Sequence, residues 1–224
     1  MKLKIAMVSI LVAACILTTG CQISGPQAIS SAPSTLGQPE LALNYTLRDY
    51  DSHGKLVYQV TRPAHSYVQA FLQMFYSQAT QVTFSMVDTG NTARTTGVLA
   101  NSFTVSAGIG ITTYGIVAGT GNTAVTEADY KIGSLIANGT GSGQLSYSNV
   151  SVTLPVTVNG TTSFTTSRTL SNSSGGSITI NEIGLYCATG STYYFCLVHD
   201  IIAGGQAVQT GHTLTITYTI AVTI

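Results

Sequence analysis

Catalysis at a protein site usually needs histidine, cysteine or paired carboxylates at set distances, and this chain is poor in all three. Its 224 residues include four histidines, four cysteines and eight acidic residues. The histidines are scattered in turns or at strand ends, at His53, His65, His199 and His212. His199 directly precedes Asp200, but neighbours on a strand point to opposite faces and cannot form a catalytic dyad directly. No serine occupies a nucleophile elbow, so the sequence predicts a protein that is not an enzyme.

The sequence does not indicate a cofactor site either. Two glycine-rich loops, 119–122 and 139–143, carry no Lys followed by Ser or Thr at phosphate-loop spacing, so nucleotide binding is not expected. The segment 49–54 contains Asp49 and Asp51, but a calcium loop needs more oxygen ligands in a fixed pattern. A solvated hairpin turn is the better interpretation of that segment, and we expect neither a metal nor another cofactor.

Two cysteines in the C-terminal half suggest a covalent link. Cys187 and Cys196 flank the segment 188–195, which contains the turn signal Gly190-Ser191 between two strand-like runs. A hairpin of this length places the cysteines near each other across the ladder, where a disulfide would fit. Metal binding is the alternative, but the spacing is wrong for a zinc knuckle and no second Cys/His pair lies nearby. The sequence predicts a disulfide between Cys187 and Cys196.

Glu182 is unusual because it lies in a strand-like run, 178–186, that is otherwise uncharged. A carboxylate buried in a sheet needs a partner. We expect Arg168, on a nearby predicted strand, to be that partner in a structural ion pair. The expected role of the pair is to stabilise the fold, not to catalyse a reaction.

The first residues are typical of an export signal. Lys2 and Lys4 precede an apolar stretch, 5–17, that is shorter than the roughly 18 to 20 residues of a spanning helix. Cys15 and Cys21 both follow small residues, which resembles the lipobox of bacterial lipoproteins, and Cys21 leaves the better length of apolar core. We expect a cleaved signal over residues 1–20 and a lipid on Cys21, with Cys15 as the second lipidation candidate. Simple secretion and an uncleaved anchor remain open alternatives.

Residues 21–42 follow this signal and are rich in Ser, Pro, Gly and Gln. This composition is typical of a flexible tether, and the segment is also a candidate for a strand exchanged with a neighbouring subunit. We therefore expect an exported protein at the cell surface or outside the cell, with membrane attachment through the lipid.

The low charge of the chain excludes several classes of protein. Charged residues make up 7% of it, against roughly 25% in an ordinary soluble domain, and eight basic and eight acidic side chains cancel. Eight dispersed Lys and Arg residues form no basic stripe, so a nucleic-acid partner is not expected. With 44% hydrophobic residues the chain is too apolar to be disordered. What remains is a neutral, β-rich protein of the kind found outside cells or in virus particles.

One segment shows helical spacing. The pattern predicts a short amphipathic helix near residues 66–78, which Ser66 could cap, with Val68, Phe71, Leu72 and Phe75 on its core-facing side.

The remaining segments show the alternation of strands, separated by turn residues. The longest predicted strands are 143–158, 162–172, 177–186, 193–202 and 212–224. Many strands with regular turn signals favour a mainly β fold, an antiparallel β-sandwich of jelly-roll-like type over residues 43–224.

Several segments of this domain occur in a familiar order: 115–121, 128–130, 139–147, 167–172, 182–186, 197–200 and 211–220, with Ser66-Tyr67-Val68 ahead of the helix. Their order resembles that in β-sandwich structural proteins of tailed bacteriophages and related metagenomic proteins. Those proteins end in a pattern of Glu-hydrophobic-Gly-Leu-Tyr followed by Thr-Leu-Thr-Val-Thr-Tyr-Thr. The resemblance spans roughly residues 43–224 and implies a virion-type structural or decoration role without catalytic residues.

These features are consistent with two functions. The first is a non-enzymatic structural protein that forms a homo-oligomer or polymer, or docks on a virion or cell-surface partner, through strand edges. The C-terminal strand, 213–224, carries no Lys or Pro and is expected to be an open edge for a partner strand. The alternative is a monomeric cell-surface lipoprotein that binds a ligand such as carbohydrate, with Tyr186, Tyr193 and Tyr194 stacking on the sugar.

Overall fold

The fold is mainly β, as predicted. A computed structural model describes residues 40–64, 66–96, 103–190 and 193–223. Strands account for 53% of the structure and helix for 7%, and the strands form antiparallel sheets. The prediction of a β-sandwich-like fold is confirmed.

The described residues form one helix, α1 (Gln69–Thr80), and thirteen strands. The strands of the N-terminal half are β1 (Glu40–Tyr50), β2 (Leu56–Pro63), β3 (Phe84–Val87), β4 (Ala93–Thr96), β5 (Phe103–Thr104) and β6 (Gly115–Gly119). Those of the C-terminal half are β7 (Ser146–Tyr147), β8 (Ser151–Val152), β9 (Val156–Val158), β10 (Thr161–Ser171), β11 (Ile178–Thr189), β12 (Tyr193–Val208) and β13 (Thr213–Thr223).

The larger sheet, sheet A, has seven strands in the order β2-β1-β13-β10-β7, with β8 and β9 also paired to β10. Strand β13 is central, because Ile216 lies opposite Leu47 of β1 on one side and opposite Arg168 of β10 on the other. The prediction that the C-terminal strand is an open edge is therefore wrong. Its alternation of Thr with larger apolar residues suits a central strand with one face in the core and one in solvent.

The smaller sheet, sheet B, contains β12, β11, β5 and β6, and packs against sheet A. Leu47, Leu170 and Ile216 of sheet A share one buried cluster with Ile180 and Phe195 of sheet B. Burying each such side chain stabilises the fold by roughly 1.5–3 kcal/mol. This cluster is the core of the sandwich. Strands β3 and β4 form a separate hairpin.

The other face of sheet B is also covered. A second buried cluster contains Val117, Ile132, Tyr186 and Cys196, together with Val68, which precedes α1, and Ala70 of α1. Neighbours in sequence, such as Ile116 and Leu185, belong to the main core, so the two clusters lie on opposite faces of sheet B. The loop 120–136 supplies Ile132 to this cover. Burial on both faces explains why β11 is an almost continuous apolar run.

The predicted helix exists, and half of its expected core face is buried: Val68 is 1% exposed, and Phe71 packs against the main core. Leu72 and Phe75, also expected in the core, are instead 66% and 65% exposed. The helix begins after Val68, whose side chain makes no capping hydrogen bond, so Ser66 is not the cap. The buried residues within the helix are Ala70, Met74 and Ser77.

The long strand predicted for residues 143–158 is interrupted. The structure has three short strands in this region, β7, β8 and β9, which all pair with β10. Pro155 lies between β8 and β9 and has no backbone N–H to donate to a ladder. The alternation of polar and apolar residues over 143–158 does not by itself indicate this interruption.

The predicted N-terminal regions fall mostly outside the described residues. Of the predicted tether or exchangeable strand, 21–42, the structure describes only residues 40–42, which begin β1 and pair with residues 221–223 of β13. Strand β1 thus begins three residues before the predicted position 43. The predicted signal over residues 1–20 lies outside the described part of the chain.

Candidate functional site

The most concentrated group of titratable side chains lies under the loop 120–136, on the outer face of sheet B. Its centre is Glu182 of β11, which is 1% exposed. Three backbone N–H groups of the loop donate to its carboxylate: Gly121 at 2.9 Å and Ser134 at 2.6 Å to Oε1, and Gly133 at 2.7 Å to Oε2. Glu182 therefore fastens both ends of the loop to the sheet.

The close approach of the loop depends on glycine. A Cβ atom at Gly119 or Gly121 would collide with Oε1 of Glu182. Neither glycine has an unusual backbone conformation, so the requirement here is space for the carboxylate. The side chain of Asn181 adds a further tie, because its Nδ2 donates to the carbonyl of Thr120 at 2.9 Å.

His199 of β12 completes the group. Its Nε2 lies 3.1 Å from Oε2 of Glu182, and its Nδ1 lies 2.7 Å from Oδ2 of Asp129 in the loop. The imidazole is 4% exposed. Because both ring nitrogens face carboxylate oxygens, both can donate at once only when the ring carries both protons and the carboxylates are ionised.

Asp129 is held as a carboxylate. Burial raises the pKa of Asp129, but hydrogen bonds from Thr126 and His199 outweigh that effect, and the pKa lies below its ordinary value. The backbone N–H and the hydroxyl of Thr126 donate to Asp129 at 3.1 and 2.7 Å. We refer to Asp129, His199 and Glu182 as the staple, because together they tie the loop to both β11 and β12.

The geometry of the staple suits structural support better than catalysis. A general base needs a free lone pair directed at a substrate, and both nitrogens of His199 are engaged within the protein. Glu182 is saturated by backbone donors. Among the described residues, no group of three or more His, Cys, Asp and Glu side chains is arranged to hold a metal ion.

His199 and Asp200 do point to opposite faces, as expected. His199 belongs to the staple, whereas Asp200 accepts a hydrogen bond from the hydroxyl of Tyr218 at 3.1 Å, between the sheets. Of the other histidines, His53 lies in the exposed β1–β2 turn and His212 contacts buried Asp49 at 3.2 Å. His65 lies outside the described residues.

The predicted ion pair between Glu182 and Arg168 is not formed. Arg168 is 1% exposed and points to the core face of sheet A, where it donates to three carbonyls: Ser148 at 2.8 Å, Ile116 at 2.9 Å and Gly108 at 3.0 Å. Its guanidinium also lies 4.9 Å from the ring centroid of Tyr147. Arg168 thus links β10 of sheet A to β6 of sheet B. The two charges lie on different sheets, and each is satisfied by backbone groups.

The predicted disulfide is also absent, since Cys187 and Cys196 are both free and buried. In the β11–β12 register Cys196 faces Tyr186, and Cys187 faces Phe195. This offset of one residue puts the two sulfurs on opposite faces of sheet B. Cys187 lies in the main core and Cys196 in the second cluster. Burial raises the pKa of Cys187 to about 12 and raises that of Cys196 as well.

The tyrosines expected to stack on a sugar have partners within the protein. Tyr186 is 4% exposed, and its hydroxyl accepts a hydrogen bond from the backbone N–H of Ile132 at 2.6 Å. Tyr194 stacks on Tyr114 with ring centroids 6.0 Å apart. The guanidinium of Arg94 lies 4.9 Å from the ring centroid of Tyr193.

The staple was not predicted as a unit. Glu182 stands out in the sequence as a charge within an otherwise uncharged run, but no sequence pattern indicates that its partners are backbone N–H groups. Asp129 and His199 are far apart in the chain, and the loop that carries Asp129 has no periodicity that would place it on the sheet.

The lipidation candidates Cys15 and Cys21 lie outside the described residues. Within the described part of the chain, no helix combines the length and apolar character needed to span a bilayer.

Comparison with protein-family models, curated proteins and solved structures found no match to this chain.

Proposed function

We propose that this protein is a non-enzymatic structural subunit, which assembles with further copies of itself through the open edges of sheet A. The role is that of a component of a virion-like particle or an extracellular filament. The observation that carries the proposal is the exposed edge strand β2, which pairs only with β1 among the described residues.

Strand β2 has the properties of an assembly edge. Leu56, Val57 and Tyr58 are exposed at 43%, 49% and 37%, so apolar surface is present on both faces of the strand. An edge strand presents unpaired N–H and C=O groups, and natural monomers usually protect such an edge with charge, proline or a bulge. The register shifts opposite Asp49 and Tyr50 of β1, so Val57 is the extra residue of a bulge at the start of β2. Arg62 and Pro63 end the strand, and residues 59–61 between these two ends are open.

The opposite edge of sheet A offers a second surface. Leu154, Val156 and Val158, in and beside β9, are exposed at 83%, 59% and 61%. The segment 149–160 contains no charged residue, so no like charges oppose the approach of another strand. Two different open edges on one sheet permit open-ended growth, whereas one self-complementary edge would close a dimer.

The titratable groups of the domain favour the same proposal. Glu182, His199 and Arg168 are buried and hydrogen-bonded to the protein's own backbone or side chains. Their hydrogen bonds stabilise the fold of the individual subunit. The tyrosines of the alternative, sugar-binding function are likewise engaged internally, so no specific contact favours that function.

The test compares the native protein with variants carrying one lysine at an edge. Light scattering and electron microscopy would follow assembly of the wild type, Val57→Lys in β2 and Val156→Lys in β9. Leu72→Lys on α1 is the matched control, because Leu72 is equally apolar and more exposed than Val57 but lies on the helix. We expect the wild type and Leu72→Lys to assemble, and each edge variant to stop at a monomer or dimer.

The size of the oligomer that each edge variant forms shows which edges pair with each other. If β2 of one copy pairs with β9 of the next, each edge variant is a monomer, and a mixture of the two forms dimers. If each edge pairs with its own kind, each variant stops at a dimer. A wild type that stays monomeric at all accessible concentrations, or edge variants that assemble like Leu72→Lys, would overturn the proposal.

A further inference from the structure

A cavity of about 210 Å³ lies between the two sheets, beside α1. Its walls come from three parts of the fold: Phe71 and Met74 of α1, Phe164 of sheet A, and Leu185 and Leu197 of sheet B. No charged side chain is among its described lining residues. The cavity is separate from the staple, which lies on the opposite face of sheet B.

The cavity is not fully enclosed, because Phe75 of α1 also lines it and is 65% exposed. Its walls are apolar, so a water molecule inside it would lack the two to four polar partners that it needs. An apolar cavity of about 150 Å³ already accommodates benzene. The volume here is therefore suited to a substituted ring or a short alkyl chain.

Two lining residues carry hydroxyl groups without partners. Thr166 is completely buried, on the core face of β10, and its Oγ1 has no hydrogen-bond partner. The hydroxyl of Tyr67 is likewise buried and unpartnered. Buried polar groups are nearly always hydrogen-bonded, so the two hydroxyl groups, which lie beside the cavity but do not form its surface, are candidates for a partner that enters it.

We propose that this cavity binds a small uncharged molecule with an apolar body and a single hydrogen-bonding group, which pairs with the hydroxyl of Thr166. The apolar walls select the body of the ligand. The absence of a charged group among the described lining residues disfavours an ionised ligand, because its charge would be buried without compensation. The hydroxyl of Thr166 is inaccessible from the cavity in the structure, so the proposal requires a rotation about χ1 that exchanges its methyl and hydroxyl groups when the ligand binds.

Three ring compounds of similar size test this proposal: p-cresol, which has a hydroxyl group, toluene, which lacks one, and benzoate, which is charged. Binding to the purified protein would be followed by NMR through the methyl groups of Leu185, Leu197, Val198 and Ile220, which line the cavity. We expect saturable shifts of these methyl groups with p-cresol, weaker binding of toluene and no binding of benzoate.

Thr166→Val preserves the shape of the side chain and removes its hydroxyl. We expect this variant to bind p-cresol about threefold to tenfold more weakly, since one hydrogen bond is lost, and to bind toluene as before. Thr189→Val is the matched control, because Thr189 is also buried with an unpartnered hydroxyl but does not line the cavity. The proposal is overturned if none of the probes shifts the lining methyl groups, or if p-cresol binds Thr166→Val as tightly as it binds the wild type.

Discussion

Glu182 and His199 are diagonal neighbours across the β11–β12 ladder, with Nε2 of the imidazole 3.1 Å from Oε2 of the carboxylate. The residue directly opposite His199 is Gly184, and the residue opposite Glu182 is Ile201. Because Gly184 has no side chain, the imidazole can lie beside Glu182. The space above Gly184 is filled by Ile132 of the loop and the ring of Tyr186. The contact between Glu182 and His199 therefore depends on the loop as much as on the two strands.

The first prediction concerns the carboxylate of Glu182. Glu182→Gln keeps the size of the side chain but places an amide nitrogen against backbone N–H donors. Leaving these donors unsatisfied in the interior should lower the free energy of unfolding by about 3 kcal/mol. Urea denaturation measures the change. Glu127→Gln, the same substitution at an exposed residue of the same loop, should leave the unfolding midpoint nearly unchanged. Equal effects in the two variants would contradict the staple.

The second prediction concerns the dependence of stability on pH. The pKa of Asp129 is lowered in the folded protein, so Asp129 contributes stability above its unfolded pKa of about 3.9 and loses it as the pH falls through the lower folded value. The stability advantage of the wild type over Asp129→Asn should therefore shrink below about pH 4. Denaturant titrations between about pH 7 and pH 3 measure it.

Asp49 supplies a control of opposite sign. Burial is the main effect on Asp49 and raises its pKa, although His212 lowers it in part. A raised pKa contributes stability at low pH that is lost as the pH rises through the folded value. The wild type should thus gain stability relative to Asp49→Asn as the pH falls from the raised folded pKa towards the unfolded value of about 3.9, just above the range in which Asp129 loses its contribution. If the stability difference from the wild type changes with pH in the same direction for Asp129→Asn and Asp49→Asn, the titration of other groups determines the pH dependence.

The third prediction separates Arg168 from Glu182. Arg168→Lys keeps the positive charge but loses the planar fork that reaches three carbonyls, and should lower the free energy of unfolding by about 2 kcal/mol. Because Arg168 and Glu182 share no contact, the effects of Arg168→Lys and Glu182→Gln should add within about 0.5 kcal/mol in the double variant. A coupling energy well above that value would show that Arg168 and Glu182 interact directly, as in the predicted ion pair. Arg48→Lys, at an exposed arginine that contacts Gln59, is the control for loss of the guanidinium.

The fourth prediction concerns the two thiols of sheet B. Burial raises the pKa of Cys187 to about 12 and also raises that of Cys196, so both remain protonated and inaccessible in the native protein. Native protein should react slowly with iodoacetamide at both positions, and urea-unfolded protein should react rapidly without reductant. Peptide mass mapping reads each cysteine separately. A cross-linked peptide containing Cys187 and Cys196 would show that the disulfide forms after all.

The class of fold could be predicted from the sequence because the alternation of polar and apolar residues indicates which side of a strand is buried. Strands β10, β11, β12 and β13 each cover most of a run predicted from this pattern. The position of a strand in its sheet is a different kind of information. The alternation of β13 is the same for a central strand and an edge strand, so the pattern could not reveal that β1 and β10 flank it.

The side-chain partners were harder to predict for a related reason. A one-residue register offset separates Cys187 from Cys196, and offsets of this size depend on bulges such as the one between Leu185 and Tyr186. The prediction of an ion pair between Glu182 and Arg168 was wrong for a different reason. Glu182 and Arg168 form hydrogen bonds mainly with backbone groups, and every residue except proline carries the same backbone donor and acceptor, so the sequence does not distinguish these partners.

The central place of β13 also determines the order in which the domain can fold. Leu43, in the first described strand, lies opposite Ile220, so the middle of sheet A joins segments from the two extremes of the domain. On the ribosome, β1 and β2 emerge long before β13 and can form only a two-stranded hairpin, which is marginally stable by itself. The nascent chain therefore gains its sandwich only after β13 has been synthesised, and contacts of such long range make folding slow.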